Sequence, residues 1–427
     1  MIAAVLFVAL AQAQSLGDAV LYGNAQAAQA MIAAGADVNQ FDETGMTPLM
    51  IAASEGRVAM TRLLLDAHAD VNLVGQDGTT ALMRAASANR RDEIQLLLQH
   101  GAAVDAKNAG GMTALMAAAF GGYAEAVRAL VAAKADPNVR DNQGRSALMA
   151  ASASGDAATV DVLLKAGADP DVADAGHGTP MTYAAADGHA AVMELLRKRG
   201  LKPNAGDLAL AAAGCHPEAV KIALAAGVSV DGARDQIVPL LSAAGSGCID
   251  VARLLVDRGA NVNAKDADGW TPLIKAAQAG HADTVQLLMD HGADMTAADS
   301  NGRTAWMFAV MGGHTDIADI FKRARANAPP AAMRVTSPPL AWSDVPDGTK
   351  SFAVLCDDRW IVYNVPGEAA SMGAQAPAGG GYRCRFEVYA LDLLPELDTG
   401  LTRAQLLEAI KGHVLGRGEL AATYERR

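Results

Sequence analysis

The feature that most constrains this chain is a short pattern that returns every 33 residues. A Thr or Ser (once a Val), then a small residue or Pro, then a large apolar residue begins at positions 47, 80, 113, 146 and 179, and again at 238, 271 and 304. A fixed period of this length is typical of proteins built from stacked supersecondary units, none of which buries its apolar face alone. The sequence therefore predicts a layered α-solenoid over residues 15–326.

Each unit is interpreted as two short helices and a loop. Thr47 is expected to cap the first helix, with Pro48 at the first helical position, where its missing N–H costs nothing. Val58 and residues 63–65 form the predicted buried stripe of the second helix, which ends at a left-handed residue, usually Gly. The loop, called the finger below, carries a D-x-x-G turn in several units: Asp42–Gly45, Asp141–Gly144, Asp266–Gly269 and Asp299–Gly302.

The 33-residue period and the T-P-L-x-x-A start resemble the ankyrin repeat. On this resemblance, residues 15–326 contain an N-terminal capping half-repeat and nine further units. The resemblance implies a concave surface of fingers and first helices that binds a protein partner.

One finger is shortened by about six residues between Asn204 and Gly206, so Gly206 is expected to begin that unit. We expect residues 15–200 to unfold separately from residues 206–326, because array stability depends on interfaces between neighbours.

Residues with reactive side chains inside the array follow its period, which favours structural roles. Six of the nine histidines fall at two repeat positions: His189, His281 and His314 at one, and His68, His100 and His291 at the other. A column of Met50, Met83, Met116, Met149 and Met307 indicates packing between layers, with an oxidation sensor as the alternative. Cys215 and Cys248 are placed in adjacent layers about 10 Å apart, beyond the reach of a disulfide. With no nucleotide-binding, nucleophile or metalloprotease motif, we predict no enzyme activity, no cofactor and no metal.

Composition and the first residues bear on partners and location. The net charge of −12 argues against nucleic acid, and no apolar run is long enough to span a membrane. Ile2–Leu10 followed by Ala11-Gln12-Ala13 matches a signal peptide with its cleavage site, so we predict a bacterial protein in the periplasm or secreted. The alternative is that residues 1–13 are a first helix of the fold.

The composition changes after residue 326. Residues 329–427 hold 8 of the 16 prolines. Three β-branched and aromatic runs predict strands at Ser351–Leu355, Trp360–Val365 and Arg383–Leu391, and a capping box at Thr402 predicts a helix to Ile410. We therefore predict a linker at 327–332 and a small mainly-β domain with a C-terminal helix at 333–427.

Four segments of this second region resemble the phosphatidylethanolamine-binding family, in its bacterial Raf-kinase-inhibitor-like branch. They are Ser337–Phe352, Ile361–Pro366, Arg385–Asp392 and Lys411–Leu415, in the family's order. The resemblance implies a β-fold with a pocket for anions such as phosphate.

The loops that build that pocket in the family are shortened here. Its acidic-proline segment is reduced to Asp357-Asp358, its His is replaced by Arg359, and its third loop shrinks to Gly379–Cys384. The candidate ligand-binding residues are Asp358, Arg359 and Arg383. We expect no small anion to bind more tightly than about millimolar. Anion binding or enzyme inhibition through this domain is the alternative function. A Cys356–Cys384 disulfide is left open.

Overall fold

The computed structural model describes residues 15–232 and 238–327, the backbone of eight strands between residues 331 and 424, and residues 407, 411 and 412. Side chains are described mainly through residue 324. The chain divides into two compact units, Met1–Ala243 and Ala244–Arg427, and each is considered by itself.

The described part of the repeat region forms twenty short helices that pair in sequence into ten layers. In order, they are α1 Leu16–Leu21, α2 Ala25–Ala33, α3 Pro48–Glu55, α4 Val58–Asp66, α5 Ala81–Ser87, α6 Arg91–Gln99, α7 Ala114–Phe120, α8 Ala124–Ala132, α9 Ala147–Ser154, α10 Ala157–Lys165, α11 Pro180–Ala186, α12 Ala190–Lys198, α13 Ala205–Ala213, α14 Pro217–Ala225, α15 Pro239–Ser246, α16 Ile249–Asp257, α17 Pro272–Ala279, α18 Ala282–Asp290, α19 Ala305–Met311 and α20 Thr315–Asn327.

The predicted helix starts are confirmed at the capping residue. The hydroxyl of Thr47 accepts a hydrogen bond from the backbone N–H of Met50 at 3.3 Å. The same bond forms at Thr80, Thr113, Ser146, Thr179, Thr271 and Thr304. This bond satisfies one of the backbone donors that a helix leaves free at its N-terminus.

The end of the second helix also follows the prediction. Gly101 and Gly167 have positive φ of 85° and 90°, and His68 and Lys134 adopt the same left-handed conformation with φ of 64° and 70°. Glycine is the residue that enters this region without a steric cost. The repeat geometry therefore holds even where glycine has been replaced.

The buried stripe of α4 differs from the prediction. Met60, Thr61, Leu64 and Leu65 are buried, whereas Val58 and Leu63 are only half-buried. Helix α4 begins at Val58, so this residue lies at the helix end rather than over the neighbouring helices. The methionine column is buried as expected, with Met50, Met83, Met116 and Met149 at 1–4% exposure, while Met307 is half-buried.

The layer with the shortened finger begins earlier than predicted. Asn204, rather than Gly206, caps α13, and it forms a capping box with Asp207. The Asp207 carboxylate also accepts a hydrogen bond from the Thr182 hydroxyl of the preceding layer at 2.8 Å. Two residues of the missing finger have thus become an extra half-turn of helix. Whether the array unfolds in two parts stays a prediction.

The prediction for the array cysteines is wrong. Cys215 and Cys248 are each disulfide-bonded. Cys215 has a φ of 60°, in the turn after α13, and Cys248 is the N-cap of α16. Both lie in the turns between paired helices, where a side chain is not held at the spacing of helix axes used for the prediction.

Beyond residue 330 the structure describes eight strands: β1 Ala331–Ala332, β2 Arg334–Thr336, β3 Leu340–Ser343, β4 Ser351–Cys356, β5 Trp360–Pro366, β6 Ser371–Met372, β7 Tyr382–Leu391 and β8 Val414–Tyr424. They form a five-stranded sheet in the order β1-β8-β7-β4-β5 and a three-stranded sheet in the order β2-β3-β6. Strands β4, β5 and β7 match the three predicted runs within one residue. The predicted helix at 402–410 lies almost entirely outside the described residues. The domain boundaries and the mainly-β domain as a whole stay predictions.

Candidate functional site

The clearest site in the described residues is a pocket on the first helices of three successive layers. It has a volume of about 250 Å³, and its lining is mostly apolar. Its walls and floor come from α7, α9 and α11 and from the bases of two fingers: Met112, Met116, Phe120, Asp141, Arg145, Ser146, Met149, Ala150, Ala153 and Tyr183. We call it the groove pocket.

The pocket exists because small residues lie between large ones. In the central layer, α9 presents Ala150 and Ala153 on the surface shared by fingers and first helices. In the layer before it Phe120 projects from the end of α7, and in the layer after it Tyr183 projects from α11. Phe120 is 69% exposed. A large exposed ring is a feature of binding surfaces when it borders an apolar cavity.

An ion pair fixes one rim of the pocket. The Arg145 Nε donates to Asp141 Oδ2 at 2.8 Å, and Asp141 Oδ1 accepts the backbone N–H groups of Gln143 and Arg145. The Asp141 side chain is 3% exposed, while that of Arg145 is 43% exposed. The finger turn therefore buries the carboxylate and holds the guanidinium at the pocket mouth.

A second acid orients the Tyr183 ring. The Tyr183 hydroxyl donates to Asp174 Oδ2 at 2.6 Å, and Asp174 Oδ1 accepts the backbone N–H groups of Gly176 and Gly178. Burial, followed by the hydrogen bond and charge of Asp174, raises the pKa of Tyr183 to about 12. Burial raises the pKa of Asp174, but the bonds from Tyr183, Gly178 and Gly176 outweigh it and lower that pKa. At neutral pH the wall is a neutral phenol bonded to a carboxylate.

The predicted ligand-binding residues of the C-terminal region are not brought together by anything the structure describes. Asp358 and Arg359 lie outside the described residues. Arg383 lies on β7, where its Cα pairs with Thr423 of β8, and its side chain is outside the description. Their role in anion binding stays a prediction.

The periodic histidines bond backbone carbonyl oxygens, and those at the first repeat position do so between layers. His189 Nε2 lies 2.9 Å from the carbonyl oxygen of Ala153 in the preceding layer, and His281 and His314 make the same contact with Gly245 and Gln278. His100 and His291 bond carbonyl oxygens of their own helix through Nδ1. No cluster of three or more metal-ligating His, Cys, Asp or Glu occurs in the part of the chain that the structure describes.

Sequence reasoning missed the groove pocket. Its signal lay in the residues that depart from the repeat. Phe120 stands where the layers before and after it have Ser87 and Ala153, and Tyr183 stands where the two layers before it have Ala117 and Ala150. Comparing side-chain size along each repeat column would have located it. Among the described residues, no helix has the length and hydropathy of a membrane span.

Comparison with known families agrees with this geometry. The family model described as "Ankyrin repeats (3 copies)" matches residues 16–108, 59–141, 94–174, 115–207 and 261–328, and the model "Ankyrin repeat" matches 235–267. These matches cover more than half of the chain. The chain therefore belongs to the ankyrin-repeat family, as the 33-residue period predicts.

A further segment is similar to UPF0098 proteins, which belong to the phosphatidylethanolamine-binding family. The UPF0098 protein of Methanothermobacter thermautotrophicus is 32% identical over 125 residues, which cover 21% of this chain and 83% of that protein. That of Chlamydia muridarum is 33% identical over 124 residues with the same coverage, and UPF0098 protein YbhB of Escherichia coli is 29% identical over 127 residues, covering 21% of this chain and 80% of YbhB. The 21% share is about 90 residues of this chain against 125 aligned positions, as expected for a segment with shortened loops.

Proposed function

We propose that this protein is a non-enzymatic interaction scaffold, and that the groove pocket receives a segment of a protein partner. The observation that carries the proposal is the apolar pocket itself, bordered by the exposed ring of Phe120 on the surface where fingers meet first helices. The ankyrin-repeat family supports a protein partner.

The size of the pocket favours a side chain over a metabolite. Sites for drug-sized ligands have volumes of about 300–1,000 Å³ and bury most of the ligand. The groove pocket, at about 250 Å³, lies below that range and opens onto an extended surface. A single anchor side chain with flanking backbone along the fingers fits this shape.

Site-specific photo-crosslinking tests the proposal. We replace Phe120 by p-benzoylphenylalanine in cells of the source organism, and Tyr22 in a matched control, because the two aromatic residues have nearly equal exposure of 69% and 68%. We expect a discrete protein adduct from position 120 and none from position 22. Equal adducts at both positions, or none at position 120, would contradict the proposal.

We also propose that the protein is exported, with the mature chain beginning at Gln14. The support is the Ile2–Ala13 pattern of the sequence. Mass spectrometry of the protein isolated from fractionated cells tests it: a mature N-terminus at Gln14 is expected, and an intact Met1 on cytosolic protein would contradict it.

For the C-terminal segment we propose that ligand binding has been lost. The support is the shortening of its three pocket loops, since scattered arginines in water contribute at most about 1 kcal/mol each and do not offset the entropy lost on binding. Calorimetry of the full chain with phosphate and with phosphoethanolamine should detect nothing tighter than about millimolar. Micromolar binding that disappears in Arg359→Ala or Arg383→Ala would instead support the alternative, an anion-binding or enzyme-inhibiting function.

A further inference from the structure

The ion-paired finger turn that borders the groove pocket occurs a second time in the chain, and there a side chain fills the space beside it. Asp299 and Arg303 repeat the finger turn of Asp141 and Arg145, with Arg303 Nε donating to Asp299 Oδ2 at 2.9 Å and its backbone N–H to Oδ1 at 2.8 Å. The buried carboxylate is 0% exposed, and the guanidinium side chain is 37% exposed. The two turns thus have the same hydrogen bonds and nearly the same burial as each other.

The backbone of the two turns matches as well. Arg140 and Ser146 form an isolated antiparallel bridge, and Ala298 and Thr304 form the equivalent one. Each turn leads into a first helix capped by the hydroxyl of Ser146 or Thr304. Position for position, Ala150 of α9 corresponds to Phe308 of α19.

Phe308 shows which group this position accommodates. The guanidinium carbon of Arg303 lies 4.7 Å from the centroid of the Phe308 ring, and the ring centroids of Trp270 and Phe308 are also 4.7 Å apart. Phe308 is 6% exposed. A cation over the face of an aromatic ring is attracted by the ring's quadrupole, so the arginine and the ring stabilise each other.

At the groove pocket the arginine is in place and the ring is missing. Ala150 leaves open the space that Phe308 fills in its own layer, and Arg145 lines that space. Met112 and Met116 take the positions of Trp270 and Ile274, so the remaining wall is thioether and aliphatic. Thioether sulfur makes favourable contacts with aromatic rings and adapts to their shape.

We infer that the groove pocket binds an aromatic side chain of the partner, held beneath Arg145 as Phe308 is held beneath Arg303. The inference rests on the proposed function, because it names the chemistry of the segment that the pocket receives. The ring face meets the guanidinium, and the ring edge meets Met116, Met149 and the Tyr183 wall. A phenylalanine, tyrosine or tryptophan supplies that ring.

The test uses the full chain with 13C-labelled methionine methyl groups and two probes, N-acetyl-phenylalaninamide and N-acetyl-leucinamide. Ring currents should shift the methyl signals of Met112, Met116 and Met149 in a saturable way, with a Kd on the order of millimolar for so small a probe. The leucine probe should bind several-fold more weakly. Arg145→Gln, which keeps a donor for Asp141 but removes the cation, should weaken the phenylalanine probe about two- to fivefold.

Two variants with the same added residue control for the pocket. Ala150→Phe should abolish the shifts, because the new ring of the protein itself fills the pocket. Ser87→Phe adds an exposed ring to α5, at the repeat position of Phe120. Since α7 separates α5 from α9, this variant should leave the shifts unchanged. Binding that survives Ala150→Phe would overturn the inference. Leucine binding as tight as phenylalanine binding would overturn it while leaving the proposed function intact. If neither probe shifts these methyl groups, the aromatic inference and the proposed function of the groove pocket both lose their support.

Discussion

The layer of α11 and α12 is joined to the layer before it and to the layer after it in different ways. Before them, the finger loops 133–145 and 166–178 are tied together: Asn138 bonds Asp169 N at 2.8 Å and Gly167 O at 3.0 Å, and Ala175 N donates to Gln143 O at 2.9 Å. After them the finger is shortened, and the Thr182 hydroxyl donates to the Asp207 carboxylate between the first helices. The histidine contact is the same at both junctions: His189 bonds Ala153 O at the first, and His216 bonds Ala186 O at the second. Full fingers therefore add bonds between neighbouring loops to the contacts that the helices make.

The largest expected effect comes from removing the same core leucine in the two settings. Leu148 in α9 and Leu208 in α13 are both 0% exposed, so Leu148→Ala and Leu208→Ala should each cost about 2–5 kcal/mol. Of these two layers, that of α9 has a full finger before it and that of α13 has a shortened one. We therefore expect Leu208→Ala to split unfolding into two transitions and Leu148→Ala to lower stability without splitting it.

Hydrogen exchange during urea unfolding distinguishes these outcomes, because it reports each segment separately. A single transition in both variants, with equal protection across residues 15–326, would mean that the shortened finger does not weaken its junction.

A smaller effect is expected from the finger side chains. Asn138→Ala removes both bonds to the neighbouring loop and should cost about 1–2 kcal/mol. Asn138→Asp keeps the acceptor and loses the donor to Gly167, so its cost should be roughly half of that. The chain offers a natural precedent, since Asp105 holds the equivalent position and accepts from Asp136 N at 3.0 Å. Urea midpoints measure the difference, and wild-type stability in Asn138→Ala would contradict the role given to the fingers.

The smallest effect depends on pH and probes the helix-based junction. Burial raises the pKa of Asp207 above its ordinary value of 3.8, although the bonds from Asn204 and Thr182 act in the opposite direction. The folded state therefore holds this proton more tightly than the unfolded state. The contribution of Asp207 to stability is complete below about pH 3.8 and is lost as pH rises through the folded-state pKa.

Asp207→Asn carries no such loss, so the stability of this variant relative to wild type should increase from pH 3 to pH 7. Asp174→Asn is the matched control with the opposite sign, because the pKa of Asp174 is lowered and its contribution is lost as pH falls. Melting temperatures of the three proteins at intervals between pH 3 and pH 7 give the comparison. Parallel pH curves for wild type and Asp207→Asn would contradict the assignment.

The sequence predicts well the structural features that recur in each repeat. The caps at Thr47 and its equivalents, the left-handed helix ends and the D-x-x-G turns follow from local chemistry that each unit contains in full. The cap at Asn204 was missed because the pattern was extended through a unit that had lost its finger. The disulfide bonds of Cys215 and Cys248 were missed because the prediction used the average distance between helix axes, whereas both cysteines lie in turns. The groove pocket was missed because it depends on Ala150 and Phe120 in different layers, and no single repeat contains it.

The histidine contacts between layers all run in one direction along the chain. His189, His281 and His314 each bond a carbonyl oxygen of the layer that precedes their own. During synthesis, at about 5–20 residues per second, a 33-residue layer emerges every 2–7 seconds or so, and the acceptor it needs has already been made. A new layer can thus dock on a finished surface as it leaves the ribosome. We expect a nascent chain stopped after several complete layers to present a folded stack, whose last layer offers backbone carbonyl groups and finger side chains such as Asn138 to the layer that follows.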